Sequence, residues 1–123
     1  CRIAQGSKEK LNLGNVGIVR DWGWAPEYVE AMWLMLQNKN PKDFVIATGE
    51  SHSLQEFVDC TFETLGLNHK SHVVIDPNLL RPTDIKCGKA NPEEARKVLG
   101  WSAKYKMQDI ILKMSEAKST VIK

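Results

Sequence analysis

The sequence predicts an α/β fold in which short strands are combined with about four amphipathic helices. Three observations predict it: apolar residues recur at helical spacing in several segments, short apolar runs lie between those segments, and glycine or proline stands at most boundaries. The chain has 123 residues, of which 42% are hydrophobic and 26% charged. It is therefore long enough for one domain and too apolar to be disordered as a whole.

The charge balance and the hydropathy pattern exclude two classes of partner. The chain has 17 basic and 15 acidic residues, and a formal net charge of +2 is too small to predict non-specific binding of nucleic acid. No apolar run approaches the ~18–20 residues that a membrane-spanning helix needs. We therefore expect neither a nucleic acid nor a membrane as partner.

The first two strands are expected around a turn. Residues 1–6 resemble the end of a helix that Gly6 terminates. Residues 10–13 alternate between polar and apolar side chains, glycines follow at positions 14 and 17, and residues 18–19 resume an extended run. This pattern indicates two short strands joined by a turn.

The segment 26–38 is expected to form the first helix. Pro26 suits the first turn, where its missing N–H costs nothing, and Glu27 favours the positive end of the helix dipole. Four apolar residues recur at i, i+3, i+4 and i+7, which predicts one buried stripe that includes a core tryptophan. These residues are Val29, Met32, Trp33 and Leu36.

A strand and a capped helix are expected next. Residues 44–47 form a continuous apolar run, which is typical of a strand covered on both faces in a parallel sheet. Ser53 and Glu56 have the spacing of a capping box and open a helix that ends at Gly66.

The last third of the chain predicts one strand and two helices. Residues 72–75 form a short apolar strand. Asn91 and Pro92 begin a helix that Gly100 ends, with Trp101 closing its end. Residues 106–118 form a final amphipathic helix.

The common catalytic and cofactor motifs are missing. The sequence contains no glycine-rich dinucleotide or nucleotide loop, no HExxH and no Tyr-x-x-x-Lys pair, so no catalytic residue is predicted. His69 and His72 are three residues apart but flank a predicted strand, which favours exposed loop histidines over metal ligands, and no metal is expected. The three cysteines, Cys1, Cys60 and Cys87, are widely spaced and indicate free thiols in a reducing, cytoplasmic location.

Two arginines and two tryptophans allow alternative interpretations. Arg20 and Arg81 lie in loops where a fixed guanidinium could bind phosphate, or could pair with the nearby Asp21 and Asp84 respectively. The loop tryptophans at 22 and 24 could stack on a base or sugar, or pack beneath a helix, which we favour.

Four segments together resemble a known family. They read LNLGNVGIVRDWGWAPEYVEAMWLML, DFVIATGESHSLQEFV, DPNLLRPTDI and NPEEARKVLGW. In this order they resemble the C-terminal part of the GDP-mannose 4,6-dehydratase family, in the extended short-chain dehydrogenase/reductase group. The resemblance covers residues 3–117. It implies that residues 1–123 form one substrate-binding segment of a longer enzyme, with the Rossmann core absent, and the first residue, Cys1 where Met would be usual, agrees with that expectation.

The resemblance also implies a function. The whole enzyme of this family binds NADP and converts GDP-mannose to GDP-4-keto-6-deoxymannose. This chain alone would bind no cofactor and would be inactive, with GDP-mannose or a related GDP-sugar and other copies in a homo-oligomer as partners. Six residues correspond by motif to the family's GDP site: Arg20 and Arg81 at the pyrophosphate, Asp84, where the family usually has Glu, at the ribose or base, and Leu11, Leu13 and Gly14 beside the base.

Two alternatives stay open. The chain could be a stand-alone module that binds a nucleotide sugar or mediates oligomerisation without catalysis. It could also derive from a related epimerase or reductase, although the block from RDWG to VIATGE favours the dehydratase.

Overall fold

Four α-helices and four short strands form the part of the chain that the computed structural model describes, residues 1–120, with side chains described to residue 117. The helices are α1 (Ala25–Gln37), α2 (Leu54–Thr64), α3 (Glu93–Leu99) and α4 (Met107–Thr120). The strands are β1 (Leu11–Leu13), β2 (Val19–Asp21), β3 (Ser51–Ser53) and β4 (Val73–Ile75). Short 3₁₀ turns span Ile3–Gln5, His69–Ser71 and Pro77–Leu79. The expected α/β class with four helices is confirmed.

The strands pair in two small sheets. β1 lies parallel to β4, with Leu11 opposite Val73, and β2 lies antiparallel to β3, with Arg20 opposite His52. The two strands expected before and after the turn at residues 14–17 are present as β1 and β2, but they do not pair with each other. Each instead finds a partner far along the chain, which local turn signals do not reveal.

The predicted helix boundaries are largely confirmed. The Ser53 hydroxyl accepts a hydrogen bond from the Glu56 N–H, and the Glu56 carboxylate accepts one from the Ser53 N–H, which completes the capping box. Gly100 ends α3 with a φ of +66°, a conformation that glycine adopts without strain. The helix expected to end at Gly6 is a single 3₁₀ turn.

The core is built around a small cluster of three buried residues, Ala31, Ala95 and Trp101. Trp101 is 4% exposed, and its indole N–H donates to the Glu27 carbonyl oxygen of α1 at 3.1 Å. At the end of α3 it is the backbone N–H of Trp101 that donates, to the Ala95 carbonyl oxygen at 3.4 Å. A second buried group lies where α2 packs on α4. It consists of Val58, Phe62, Met107, Ile110 and Ile111.

The predicted buried stripe of α1 is wrong. Trp33 is 59% exposed and Leu36 is 82% exposed, and Val29 and Met32 are exposed as well. The helix instead directs its other face, including Ala31, at the core cluster. Because α1 is apolar on both sides, its periodicity did not identify the side that packs here.

The predicted strand over residues 44–47 is also wrong. The segment has no ladder partner in the described part of the chain. Phe44 and Ile46 nevertheless pack on the core cluster, and Ala47 is buried. The apolar run therefore reflects burial, while the second requirement of a strand, a neighbouring edge to pair with, is not met by the described strands.

Candidate functional site

An open cleft of about 530 Å³ lies where the two parallel strands end. Residues that follow parallel strands emerge at the same edge of a sheet, and ligands of α/β proteins commonly bind there. The Asp76 N–H donates to the Leu13 carbonyl oxygen at 2.7 Å and continues the pairing one step beyond β4. The cleft falls within the ~300–1,000 Å³ of small-molecule sites.

Four of the six predicted site residues line this cleft. They are Leu13, Gly14, Arg81 and Asp84. A Cβ built on Gly14 would lie 2.6 Å from the Leu79 carbonyl oxygen, so glycine lets the opposite wall approach. The sequence placed these residues together only through the family resemblance, whereas the structure brings them together through β1 and β4.

Arg81 presents an unpaired charge at the cleft. Its side chain is exposed, and no described residue forms a hydrogen bond or ion pair with its guanidinium. Asp84 is half-buried and contacts Arg81 through the backbone alone, where its N–H donates to the Arg81 carbonyl oxygen at 3.3 Å. The alternative in which these two side chains pair with each other is therefore wrong.

Arg20 lies beside the cleft without lining it. Its Nη1 donates to the carbonyl oxygens of Val19 and Ile85, each at 2.8 Å. The Asp21 carboxylate is engaged elsewhere, because it accepts hydrogen bonds from the Thr48 and Gly49 N–H groups, each at 2.9 Å. The Arg20–Asp21 ion pair is thus also wrong, and Arg20 fixes the chain next to Asp84.

Leu11 is placed on another surface. It lines a separate cavity of about 240 Å³ with Phe62 and Leu65, and not the cleft. The separation follows position along β1 and not its side-chain alternation, because Leu11 lies at the start of the strand whereas the cleft lies at its end. The structure therefore separates Leu11 from the other predicted site residues.

Asn12 is a cleft residue that the sequence reasoning missed. It lines the cleft with an exposed amide, and no described residue forms a hydrogen bond with that amide. A carboxamide offers both donors and an acceptor, which suits a nucleobase edge. The sequence signal that could have identified Asn12 is its position as a polar residue between two leucines in an expected strand.

The loop tryptophans pack against helices. Trp22 lies with its ring centroid 4.5 Å from that of Phe57, and its indole N–H donates to the His52 carbonyl oxygen at 3.4 Å. Trp24 lies under Lys113 of α4, with the ammonium 5.8 Å from the ring centroid. These contacts agree with the packing interpretation, and neither tryptophan lines the cleft.

The residues present do not fit a dinucleotide cofactor. Such a site needs a helix N-terminus free to bind the pyrophosphate. Each helix carries an acidic side chain in its first turn, and these include Glu27 of α1, Glu56 of α2 and Asp109 of α4. Glu56 and Asp109 accept backbone N–H groups at their helix starts, so a bound phosphate would meet a negative charge.

No metal site and no membrane-spanning helix are present in residues 1–120. The described residues contain no group of three or more His, Cys, Asp and Glu side chains able to hold a metal ion. His69 pairs with Asp59 at 3.0 Å, and His72 stacks on Phe62. Among the described helices, none is long and apolar enough to cross a membrane.

Comparison with known sequences shows a match over nearly the whole chain. The family model described as GDP-mannose 4,6 dehydratase matches residues 1–114. GDP-mannose 4,6 dehydratase 1 of Arabidopsis thaliana is 47% identical over 113 residues, which cover 92% of this chain and 31% of that protein. The Homo sapiens GDP-mannose 4,6 dehydratase is 38% identical, over 95% of this chain and 36% of its own length. The chain thus spans about a third of these relatives.

Solved structures show the same fold at low identity. A UDP-glucose 4-epimerase from Thermotoga maritima, determined with UDP-glucose, superposes with a TM-score of 0.85 at 20% identity and covers 99% of this chain and 38% of its own. RMD from Pseudomonas aeruginosa, complexed with NADPH, gives a TM-score of 0.77 at 14% identity, over 89% of this chain and 36% of its own.

Proposed function

Because the chain belongs to the GDP-mannose 4,6-dehydratase family, we propose that it is the C-terminal, GDP-sugar-binding part of such an enzyme. The whole enzyme converts GDP-mannose to GDP-4-keto-6-deoxymannose with loss of water. The observation that carries the proposal is the cleft at the ends of β1 and β4, where an unpaired arginine and a carboxylate face one cavity.

Each cleft residue has a role that its chemistry supports. The free guanidinium of Arg81 suits a pyrophosphate, which it can bind with two parallel N–H groups. Asp84 can accept a hydrogen bond from a ribose hydroxyl or from a base N–H, and Asn12 can pair with a base edge. Leu13 and Gly14 form an apolar, closely approaching wall that suits a planar base.

Arg20 has a double role in this proposal. One of its nitrogens holds the Ile85 carbonyl oxygen and so positions the segment that carries Asp84. A guanidinium has five N–H donors, so the remaining ones can contact phosphate. Leu11, at the other end of β1, has no contact with the nucleotide in this proposal.

Catalysis is assigned to the whole enzyme and not to this chain alone. When bound, NADP supplies the hydride acceptor and donor that the dehydration requires. The helix starts described above do not fit that cofactor, so in this proposal it is held by other residues. The present residues bind and orient the GDP end of the substrate. A cytoplasmic location, which suits the free thiols of the described cysteines, and a homo-oligomeric whole enzyme belong to the same proposal.

Calorimetry with GDP and GDP-mannose tests the binding role. We expect micromolar binding by the wild-type chain, at least tenfold weaker binding by Arg81→Ala, and unchanged binding by Arg96→Ala. Arg96 is a matched control because it is an exposed arginine that pairs with Glu93 on α3, outside the cleft.

The same titrations separate the alternatives. Equal or tighter binding of UDP-glucose would favour a related epimerase. Absence of binding by a correctly folded chain would contradict the proposal and favour a module that only mediates oligomerisation. Formation of 4-keto-6-deoxy product from GDP-mannose and NADP by this chain alone would contradict the division of roles.

A further inference from the structure

The loop that follows the Arg81 and Asp84 side of the cleft runs beside β2 as a short extended segment. The Val19 N–H donates to the Lys86 carbonyl oxygen, and the Gly88 N–H donates to the Val19 carbonyl oxygen, each at 2.9 Å. These two hydrogen bonds form a parallel bridge in which Val19 lies opposite Cys87. Backbone contacts with β2 therefore fix this segment, and the Lys86 side chain takes no part in them.

The bridge decides which side chains share a face. Paired residues of neighbouring strands point to the same face, and the next residues along each strand point to the opposite one. Because Val19 and Cys87 share one face, Ile18 and Lys86 share the other, on strands that lie about 5 Å apart. Ile18 lines the cleft. Lys86 is thus placed beside a cleft residue and on the same side of the sheet.

The contact between Gly88 and Arg20 agrees with this assignment. A Cβ built on Gly88 would lie 3.7 Å from the Arg20 Cδ, so these two residues share a face. Side chains two residues apart in a strand point the same way, which places Lys86 and Ile18 on that face as well. The guanidinium of Arg20 and the ammonium of Lys86 therefore belong to one surface, which continues from the cleft.

The charges at the cleft favour a ligand contact by this ammonium. Among the residues that line the cleft, the charged ones are Arg81 and Asp84, whose formal charges sum to zero. A terminal phosphate carries a charge of about −1.5 to −2 at pH 7, so these two residues alone do not neutralise a diphosphate. Lys86 is exposed, and its ammonium has no hydrogen bond or ion pair within the part of the chain that the structure describes. It is a free cation at the border of the cleft.

We propose that Lys86 is a phosphate-binding residue of the cleft, which adds a third positive charge to those of Arg81 and Arg20 and so favours ligands with a diphosphate. The flexible four-carbon stem of a lysine lets its ammonium move from solvent to a ligand beside Ile18, where it acts as a point charge. The inference rests on the proposed nucleotide role of the cleft. It adds a residue that none of the sequence motifs singled out.

Calorimetry at low salt with GDP and guanosine tests this role. Lys86→Gln should bind GDP at least fivefold more weakly than the wild-type chain does. Guanosine, which has the same base and ribose but no phosphate, should bind both chains within twofold of each other. Lys86→Arg keeps the charge and should retain GDP affinity within twofold. Lys89→Gln removes the same charge from the same loop, three residues along, and should weaken GDP binding less than twofold.

Ionic strength gives a measurement that a purely structural role would not change. The Debye length falls to about 3 Å at 1 M salt, which screens the interaction of an exposed ammonium with phosphate. The affinity difference between the wild-type chain and Lys86→Gln should therefore shrink below twofold in about 1 M sodium chloride. Without ligand, the melting temperatures of the two chains should agree, because the bridge to β2 is made by backbone atoms alone.

The possible failures can be told apart. Equal GDP affinity of the wild-type chain and Lys86→Gln would overturn this inference and leave the proposed function standing. Equal losses in Lys86→Gln and Lys89→Gln would show that only the overall charge of the loop matters, and a matching loss of guanosine binding would show a disturbed base site. Either result would overturn the inference as well. Absence of GDP binding by the folded wild-type chain would contradict the proposed function itself, and this inference with it.

Discussion

The Tyr28 hydroxyl occupies the space that a side chain on Gly23 would need, because a Cβ built on that glycine overlaps the phenol ring. Gly23 stands between the two packed tryptophans, so the close approach fixes the loop between β2 and α1. Gly23→Ala should lower the free energy of unfolding by about 1–3 kcal/mol, as overpacking does. Urea denaturation of the variant and of the wild-type chain measures this change in the free energy of unfolding. Gly88→Ala, whose Cβ would meet only ordinary contacts at 3.7 Å, is the control. Equal stability of the two variants would contradict this reading of the loop.

Glu27 connects α1 to the loop before α4. Its buried carboxylate accepts hydrogen bonds from the Lys104 N–H at 2.9 Å and the Tyr105 N–H at 3.2 Å. Glu27→Ala leaves both donors without this acceptor and should cost about 2–4 kcal/mol of unfolding free energy, since a hydrogen bond to a charged group contributes ~1.5–3 kcal/mol. Glu30→Ala, on the exposed side of the same helix, should change stability little. A small effect at Glu27 in thermal unfolding would show that the loop finds other partners.

Tyr28 should make stability depend on alkaline pH. Burial, and then the neighbouring Asp21 carboxylate, raise the pKa of Tyr28 from its usual 10.0 to about 12. The folded state therefore retains a proton that the unfolded chain releases above pH 10, so this contribution is complete below pH 10 and is lost as the pH rises towards 12. The melting temperature of Tyr28→Phe should therefore fall less than that of the wild-type chain between pH 10 and pH 12.

The cause of the shift can be tested separately by Asp21→Asn. The variant should lower the Tyr28 pKa only part of the way to 10, because burial, the largest single cause, remains in the variant. Phenolate absorbance during native-state titration measures it, with Tyr28→Phe identifying the signal. A return of the pKa fully to 10 would make Asp21 the dominant cause.

Replacing Arg20 and replacing Arg81 should have different effects on GDP binding and on stability. Arg81→Ala should weaken GDP binding without changing stability, because the guanidinium has no partner among the described residues. Arg20→Ala should weaken binding and also lower stability by about 1–3 kcal/mol, since two backbone carbonyls lose a charged donor. Calorimetry and thermal unfolding of both variants make the comparison. Identical behaviour would remove the distinction between a ligand contact and a positioning residue.

Gly14→Ala should narrow the cleft. The added methyl group would press on the Leu79 carbonyl oxygen and displace that wall, so GDP affinity should fall at least tenfold while the helices keep their far-UV circular dichroism. Gly17→Ala, in the same loop but outside the cleft lining, provides the comparison. Unchanged affinity would show that the Leu79 wall does not contact the nucleotide.

The helices could be predicted from local sequence signals. The pairing of strands that are distant in the sequence could not. The Ser53–Glu56 capping box and the glycine at position 100 act within a few residues of themselves, so their sequence spacing suffices. The partner of β1 lies at β4, and nothing near Leu11 specifies it. The side of α1 that faces the core was equally hidden, because both sides carry apolar residues.

The candidate site shows the same division. Residue type and the family resemblance singled out Arg81 and Asp84, which do share the cleft. The engagement of Arg20 with Ile85 and the separation of Leu11 depend on how the segments meet in space. Asn12 was missed because an amide within a short strand is usually a solvent-facing residue.

The three-residue ladder between β1 and β4 also decides when the cleft forms during folding. Its two walls are separated in the chain by both α1 and α2, and closing so long a loop costs entropy that only the completed packing repays. A peptide with residues 76–88 would contain both Arg81 and Asp84 and still lack the wall at Gly14. Nucleotide binding should therefore be an all-or-none indicator of the native fold, lost at the same denaturant concentration as the parallel ladder itself.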